Sequence, residues 1–308
     1  MPGFSQQAGV RDDPLAMKGS LMFEANDLMI PGPAGRLSVR TKGLENRPEK
    51  LVVLVQGANL SGQIGYDFSF DGRSDYSLME ILAARGFGAV TFAVRGYQKS
   101  ELNDHPHSVQ TDQAIEDTAC VVDWLVTQGF AKPHMLGWSW GGRIVARYAE
   151  DAGARLDRVI LMDPALGGGN RIPFLDKQDW WLNTAAYFRN RLEREFMEAV
   201  AHEQLAIQAE ANELKAPNGI RIENERGSIS PIPEKLQNPT LMLYGAAAGQ
   251  QNYMQGGISR SEFFERLPTP DKQLVIVPDG GDYGHIQNAR GRMYRVIAEF
   301  LEPQSDTI

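Results

Sequence analysis

Gly137-Trp138-Ser139-Trp140-Gly141 is the stretch whose reading decides the fold. It follows the short apolar run His134-Met135-Leu136, which predicts a strand. It precedes Gly141 to Ala152, rich in small residues, which predicts a helix. A serine at a sharp strand-to-helix turn projects its hydroxyl clear of both elements. The two glycines then have a steric reason, because the backbone of such a turn is strained and crowded against its neighbours. The helix N-terminus adds partial positive charge beside the hydroxyl. It is this setting, more than the five-residue pattern, that carries the reading.

Working outward, strand and helix signals alternate. Leu51-Val52-Val53-Leu54-Val55 is a β-branched run stopped by Gly57, the pattern of a strand buried on both faces. Leu78 to Arg85 predicts a helix, Ala89 to Val94 a strand, and Thr111 to Gln128 a helix stopped by Gly129. Further strands are predicted at Arg158–Met162, Thr240–Tyr244 and Gln273–Val277, and a closing helix at Met293–Leu301. Such alternation predicts βαβ units and an α/β fold with a mostly parallel central sheet flanked by helices. Leu21 to Thr41 reads as two strands around Pro31-Gly32-Pro33-Ala34-Gly35, since that cluster cannot continue a ladder.

The rhythm is interrupted twice. Residues 1–20 show no sustained periodicity and read as an N-terminal arm. Residues 167–233 lose the strand signal and carry a long helical tract from about Trp180 to Leu214, which predicts an inserted helical cap on a core formed by residues 21–166 and 234–308. Pro231, Pro233 and Pro239 punctuate the return to the core.

Among the 308 residues, 42% are hydrophobic and 23% charged, enough to bury a sizeable core. A net charge of −8 repels phosphate, which argues against nucleic acid and anionic membrane as partners and leaves a small molecule as the expected one. No apolar run approaches the roughly 20 residues of a membrane span, and a secretory signal pattern is absent, so a soluble cytoplasmic protein is expected. Cys120 is the only cysteine, which excludes an intrachain disulfide. His105-Pro106-His107 lacks companion ligands along the sequence and reads as a polar loop, so no metal site is expected.

At this point the chain resembles the α/β-hydrolase family, from about Leu37 to Leu301. Beside the serine turn, Gln56-Gly57-Ala58 stands where the family carries its His-Gly oxyanion loop. Arg95-Gly96-Tyr97-Gln98-Lys99-Ser100 resembles its Arg-Gly-Tyr-Gly-x-Ser segment, and Gly280-Gly281-Asp282-Tyr283-Gly284-His285 resembles its histidine loop. The resemblance implies Ser139 as nucleophile, His285 as general base, and an oxyanion hole from the backbone N–H groups of Ala58 and Trp140. The family's usual site for the acid, after the penultimate strand, here reads Tyr244-Gly245-Ala246-Ala247-Ala248-Gly249-Gln250-Gln251-Asn252-Tyr253 and holds no carboxylate. Some members carry the acid one strand earlier, where this chain has Asp163.

A serine hydroxyl needs a base during attack, and imidazole titrates in the useful range. The implied reaction is hydrolysis of an ester, lactone or amide of a medium-sized, partly apolar molecule through an acyl-serine intermediate, with no cofactor. Three other readings stay open: a peptidase like the proline iminopeptidases, a lyase on the same fold, and a ligand receptor without turnover. The oligomeric state is not legible in the sequence.

Overall fold

The computed structural model describes residues 23–248 and 256–302. Residues 1–20, read as an arm, lie outside the described residues. The first two strands, β1 (Asn26–Gly32) and β2 (Gly35–Lys42), form an antiparallel hairpin across Pro33-Ala34. Then follow β3 (Leu51–Val55), the short α1 (Gly62–Tyr66), α2 (Leu78–Ala84), β4 (Gly88–Phe92), α3 (Thr111–Thr127), β5 (His134–Trp138), α4 (Trp140–Ala152) and β6 (Val159–Met162). An insertion contributes β7 (Trp180–Leu182), α5 (Ala185–Arg191), α6 (Ala199–Glu213), β8 (Lys215–Pro217) and α7 (Gly219–Arg226). The core resumes with β9 (Thr240–Gly245), α8 (Arg260–Glu265), β10 (Lys272–Val277) and α9 (Arg290–Leu301).

Eight strands form one sheet in the order β1-β2-β4-β3-β5-β6-β9-β10. From β4 to β10 all neighbours pair in parallel, while β2 runs antiparallel to both β1 and β4. The β-branched run of β3 is explained by its place in this order. Val52 and Leu54 pack into the core on one face of the sheet, and Val53 and Val55 into the core on the other. Alternate side chains of a strand point to opposite faces, so a central parallel strand must be apolar at every position. The edge strand β10, by contrast, is buried fully only at Val277.

The insertion departs from the expected long helical tract. Trp180–Leu182 is extended and pairs antiparallel with Lys215–Pro217. Helix α5 starts at Thr184, whose side chain caps the Tyr187 N–H, and ends at Leu192, which takes up an extended conformation. Aromatic residues suit a strand as well as a helix, so composition alone does not separate the two. Among the described residues no helix is long and apolar enough to cross a membrane.

Candidate active site

The strand-to-helix turn is as tight as its glycines suggest. Ser139 sits at φ 56° and ψ −115°, a strained conformation for a residue with a side chain. A Cβ on Gly137 would lie 2.1 Å from the Gly141 carbonyl oxygen. One on Gly141 would lie 2.3 Å from that of Val55, and one on Gly142 2.7 Å from the Pro164 Cβ. Ser139 is tied to the next strand on both sides: its N–H donates to Met162 O, and its carbonyl accepts from Ala165 N–H, each at 2.9 Å. Asp163 lies between those two contacts, also at positive φ, 42°.

Ser139 opens into a cavity of about 610 Å³. The core supplies Gly57, Ala58, Asn59, Trp138, Trp140 and Asp163 to its wall, and the insertion supplies Trp181, Tyr187, Arg191, Ile220 and Arg221. Ala58 and Trp140 thus both border the cavity with Ser139. Neither of their backbone N–H groups donates a hydrogen bond among the described residues. Tyr97, from the Arg-Gly-Tyr segment, supports this loop by donating its hydroxyl to Ala58 O at 2.8 Å. Gln56 is buried and does not line the cavity: its Oε1 accepts from Val94 N–H at 3.0 Å, tying the loop to the segment after β4. The insertion grips the same loop, through Asn183 Nδ2 to Asn59 O at 2.6 Å and through the Glu213 carboxyl, which accepts from Ser61 N–H and Oγ–H. Burial pushes Glu213 up to about 7.

Of the three residues proposed from the sequence for nucleophile, acid and base, two border one cavity, and His285 makes no side-chain hydrogen bond to either of them. Ser139 and Asp163 share the cavity. His285 does not line it: the ring is fully buried, with the Trp138 indole at 4.6 Å and the Tyr66 ring at 5.8 Å between centroids. Neither imidazole nitrogen has a hydrogen-bond partner. Burial drives its pKa down to about 3, against a small opposing effect of the Gly65 backbone, so the ring is neutral and weakly basic at ordinary pH. The indole that covers it is itself held, its Nε1–H donating to Asp282 O at 2.8 Å. Three residues before His285, it is Asp282 that reaches the cavity, paired with Arg191 at 2.7 Å.

Asp163 is buried at the end of β6. Its Oδ1 accepts from Gly245 N–H at 3.2 Å and lies 3.7 Å from Arg260 Nη1, while Oδ2 has no hydrogen-bond partner. Burial raises its pKa well above the ordinary carboxyl value, with Arg260 opposing. A buried carboxyl that lines the same cavity as a serine, with one oxygen lacking a hydrogen-bond partner, is a candidate to accept and return a proton.

Sequence reading missed the cationic character of this cavity. Arg143, Arg191, Arg221 and Arg260 all contribute to its wall. Arg143 could have been suspected, since it lies one helical turn after Ser139. The other three come from the insertion and from α8, and their convergence is a tertiary fact without a local signal.

Outside the cavity, the fold brings Asp179 beside His105 and His107, with Nε2 to Oδ1 distances of 3.4 and 3.7 Å. The His105 Nδ1 accepts from His107 N–H, which leaves the proton on Nε2 facing Asp179, and His107 Nε2 meets Gln178 O at 2.9 Å. These contacts use the ring nitrogens to fasten the loop after β4 to the insertion.

The family model described as alpha/beta hydrolase fold matches residues 50–209, just over half of the chain. No curated protein sequence matches it. Among solved structures, a bromoperoxidase from Bacillus anthracis is similar with a TM-score of 0.64 at 17% identity, over 90% of this chain and 100% of that one. A monoacylglycerol lipase from Paleococcus ferrophilus gives 0.60 at 20% identity, over 90% and 98%. A thermophilic esterase from Thermogutta terrifontis gives 0.59 at 17%, over 90% and 98%. With the parallel sheet, the strained serine turn after β5 and the family match in agreement, the chain belongs to the α/β-hydrolase fold family.

Proposed function

We propose that this chain is a serine hydrolase that cleaves an ester, lactone or amide of a medium-sized molecule through an acyl-serine intermediate. The observation that carries the reading is Ser139, held at a strained turn with its side chain on a large cavity beside two uncommitted backbone N–H groups. Backbone strain of this kind costs on the order of 1–3 kcal/mol and persists where function uses it. The esterase and lipase among the similar folds agree with hydrolysis as the reaction class.

In this account Ser139 Oγ attacks the substrate carbonyl carbon and its proton passes to a carboxylate of the cavity. We assign that role to Asp163, directly or through one water, in place of His285. The carbonyl oxygen becomes an oxyanion facing the N–H groups of Ala58 and Trp140, which are fixed before the charge develops. The bond to the leaving alcohol or amine breaks as Asp163 returns the proton to it. Water then adds to the acyl carbon, gives its proton to Asp163, and the carboxylic acid product leaves as Ser139 regains its proton.

The sequestered imidazole also favours a second reading, a receptor that binds its ligand without turnover. The two part on one experiment: hydrolysis of an aryl ester panel by the native protein and by Ser139→Ala. Turnover that depends on Ser139 supports the hydrolase, and ligand retention without turnover supports the receptor.

A further inference from the structure

We infer that His105, His107 and Asp179 form a binding site for a borderline divalent metal ion of the Zn²⁺ type, which clips the insertion to the core; the inference is independent of the hydrolase reading. Along the sequence the two histidines have no companion ligand, and the fold supplies one from the insertion. Asp179 Oδ1 lies 3.4 Å from His105 Nε2 and 3.7 Å from His107 Nε2, and the ligand atoms of all three residues lie within 4.8 Å of one another. In a tetrahedral site with bonds of about 2.0–2.2 Å, ligand atoms stand roughly 3.3–3.6 Å apart. Two of the three separations are therefore close to those of a metal site, and the third closes by a turn of the exposed His105 ring. The rings meet edge to face, 4.7 Å between centroids and 67° between planes, so they do not stack and both Nε2 atoms converge on the carboxylate. Imidazole nitrogen with carboxylate oxygen is a donor set for Zn²⁺, whereas Mg²⁺ and Ca²⁺ take oxygen ligands. The surface position gives the ion a way in and leaves coordination positions to water.

Both sides of the site are held in place. Pro106 opens the 3-10 turn Pro106–Ser108 that carries His107, with His105 as its N-cap. Opposite, buried Asn218 holds the backbone of the insertion: its N–H donates to Asp179 O and its Nδ2 to Gln178 O, each at 3.0 Å. Gln178 O stands 2.9 Å from His107 Nε2, close enough to become a fourth ligand. An ion that takes the Nε2 lone pair moves the ring proton to Nδ1, so His105 gives up the bond it accepts from His107 N–H at 3.2 Å. That bond is long and exposed, and coordination to a dication replaces it. Asp179 directly precedes β7, whose Trp181 lines the Ser139 cavity, and Asn218 Oδ1 accepts from Arg221 on the same wall at 2.9 Å. An ion between Asp179 and the His105–His107 turn therefore fixes the insertion side of the cavity against the segment that follows β4.

The direct test is isothermal titration of Zn²⁺ into the untagged, full-length native protein after chelator treatment, beside His105→Ala and Asp179→Ala proteins. Both side chains are exposed, so the variants are expected to fold. One ion per chain is expected in the native protein, with each variant binding at least about tenfold more weakly and equimolar Mg²⁺ leaving the titration unchanged. Absence of saturable binding up to about 1 mM Zn²⁺ overturns the inference. So does an affinity unchanged in both variants, or competition by equimolar Mg²⁺. Amide hydrogen exchange at Trp180–Leu182 with and without Zn²⁺ reads the clip. Slower exchange is expected with Zn²⁺ in the native protein and no change in Asp179→Ala. Zinc binding at the three residues without slower exchange sustains the metal site and removes the clip.

Discussion

The indole of Trp138 covers the imidazole of His285 at 4.6 Å, and it is the indole, not the imidazole, that faces the Ser139 cavity. One residue of separation between Trp138 and Ser139 thus divides the aromatic nest from the reacting space. His285 is a buried neutral ring, and the mechanism we propose places proton transfer on a group that borders the cavity.

His285→Leu is expected to label with a serine-directed probe and to turn over substrate at the native rate within about threefold, because the ring does not line the cavity and its polar interaction is with the Gly65 backbone. Its effect belongs to stability. The folded value of about 3 lies below the unfolded value of 6.5, so the neutral ring contributes stability that is present above pH 6.5 and lost as pH falls toward 3. Urea unfolding between pH 4 and pH 7 should show a shallower acid loss in His285→Leu than in the native protein. Loss of activity in a variant that folds normally would return His285 to the mechanism.

Asp163→Asn is expected to lower kcat by about 10²–10⁴-fold, the usual contribution of a positioned acid–base group, with folding retained. Asp163 must be ionised to accept the serine proton, so native activity should rise with pH through a midpoint above 3.8, the direction in which burial moves this carboxyl. Steady-state rates across pH decide it. Unchanged turnover in the Asn variant excludes Asp163 as the base.

Glu213→Gln tests the grip of the insertion on the oxyanion loop. The folded carboxyl is raised to about 7 from 4.5, so its contribution is present below pH 4.5 and lost as pH rises through 7. Gln keeps an acceptor for Ser61 N–H and removes the charge, so the variant should be the more stable of the two at pH 8 and lose the difference at pH 4. Glu213→Ala leaves buried Ser61 donors without a partner and should cost about 1–3 kcal/mol at either pH. Thermal or urea unfolding at the two pH values reads both effects.

Much of this architecture was legible in the sequence, because its signals are local. The apolar runs of β3, β5, β6 and β9 follow from burial on both faces, and the glycines around Ser139 follow from the backbone oxygens that a Cβ would strike. The break of the expected helical tract into Trp180–Leu182 and α5 was not, since extended structure there depends on pairing with Lys215–Pro217, more than thirty residues on. The place of His285 was also hidden. Along the loop Asp282 and His285 are three residues apart, and which of them reaches the cavity is set by the packing of Trp138 and Tyr66. The arginines of the wall converge only in three dimensions.

Gly141→Ala would place a Cβ 2.3 Å from the Val55 carbonyl oxygen, a backbone atom that cannot yield without moving β3. We expect a loss of more than about 3 kcal/mol or no soluble protein, the range of severe overpacking. An unfolding midpoint equal to the native one would show that the turn is looser than described.

In the mechanism we propose, Ser139 is a nucleophile that acts without His285. The most direct measurement of this is labelling of native, Ser139→Ala and His285→Leu proteins by a fluorophosphonate, with the modified peptide mapped by mass spectrometry. A single adduct on Ser139 is expected in the native and His285→Leu proteins and none in Ser139→Ala. Absence of any adduct on the folded native protein, or its loss in a folded His285→Leu protein, would contradict the mechanism.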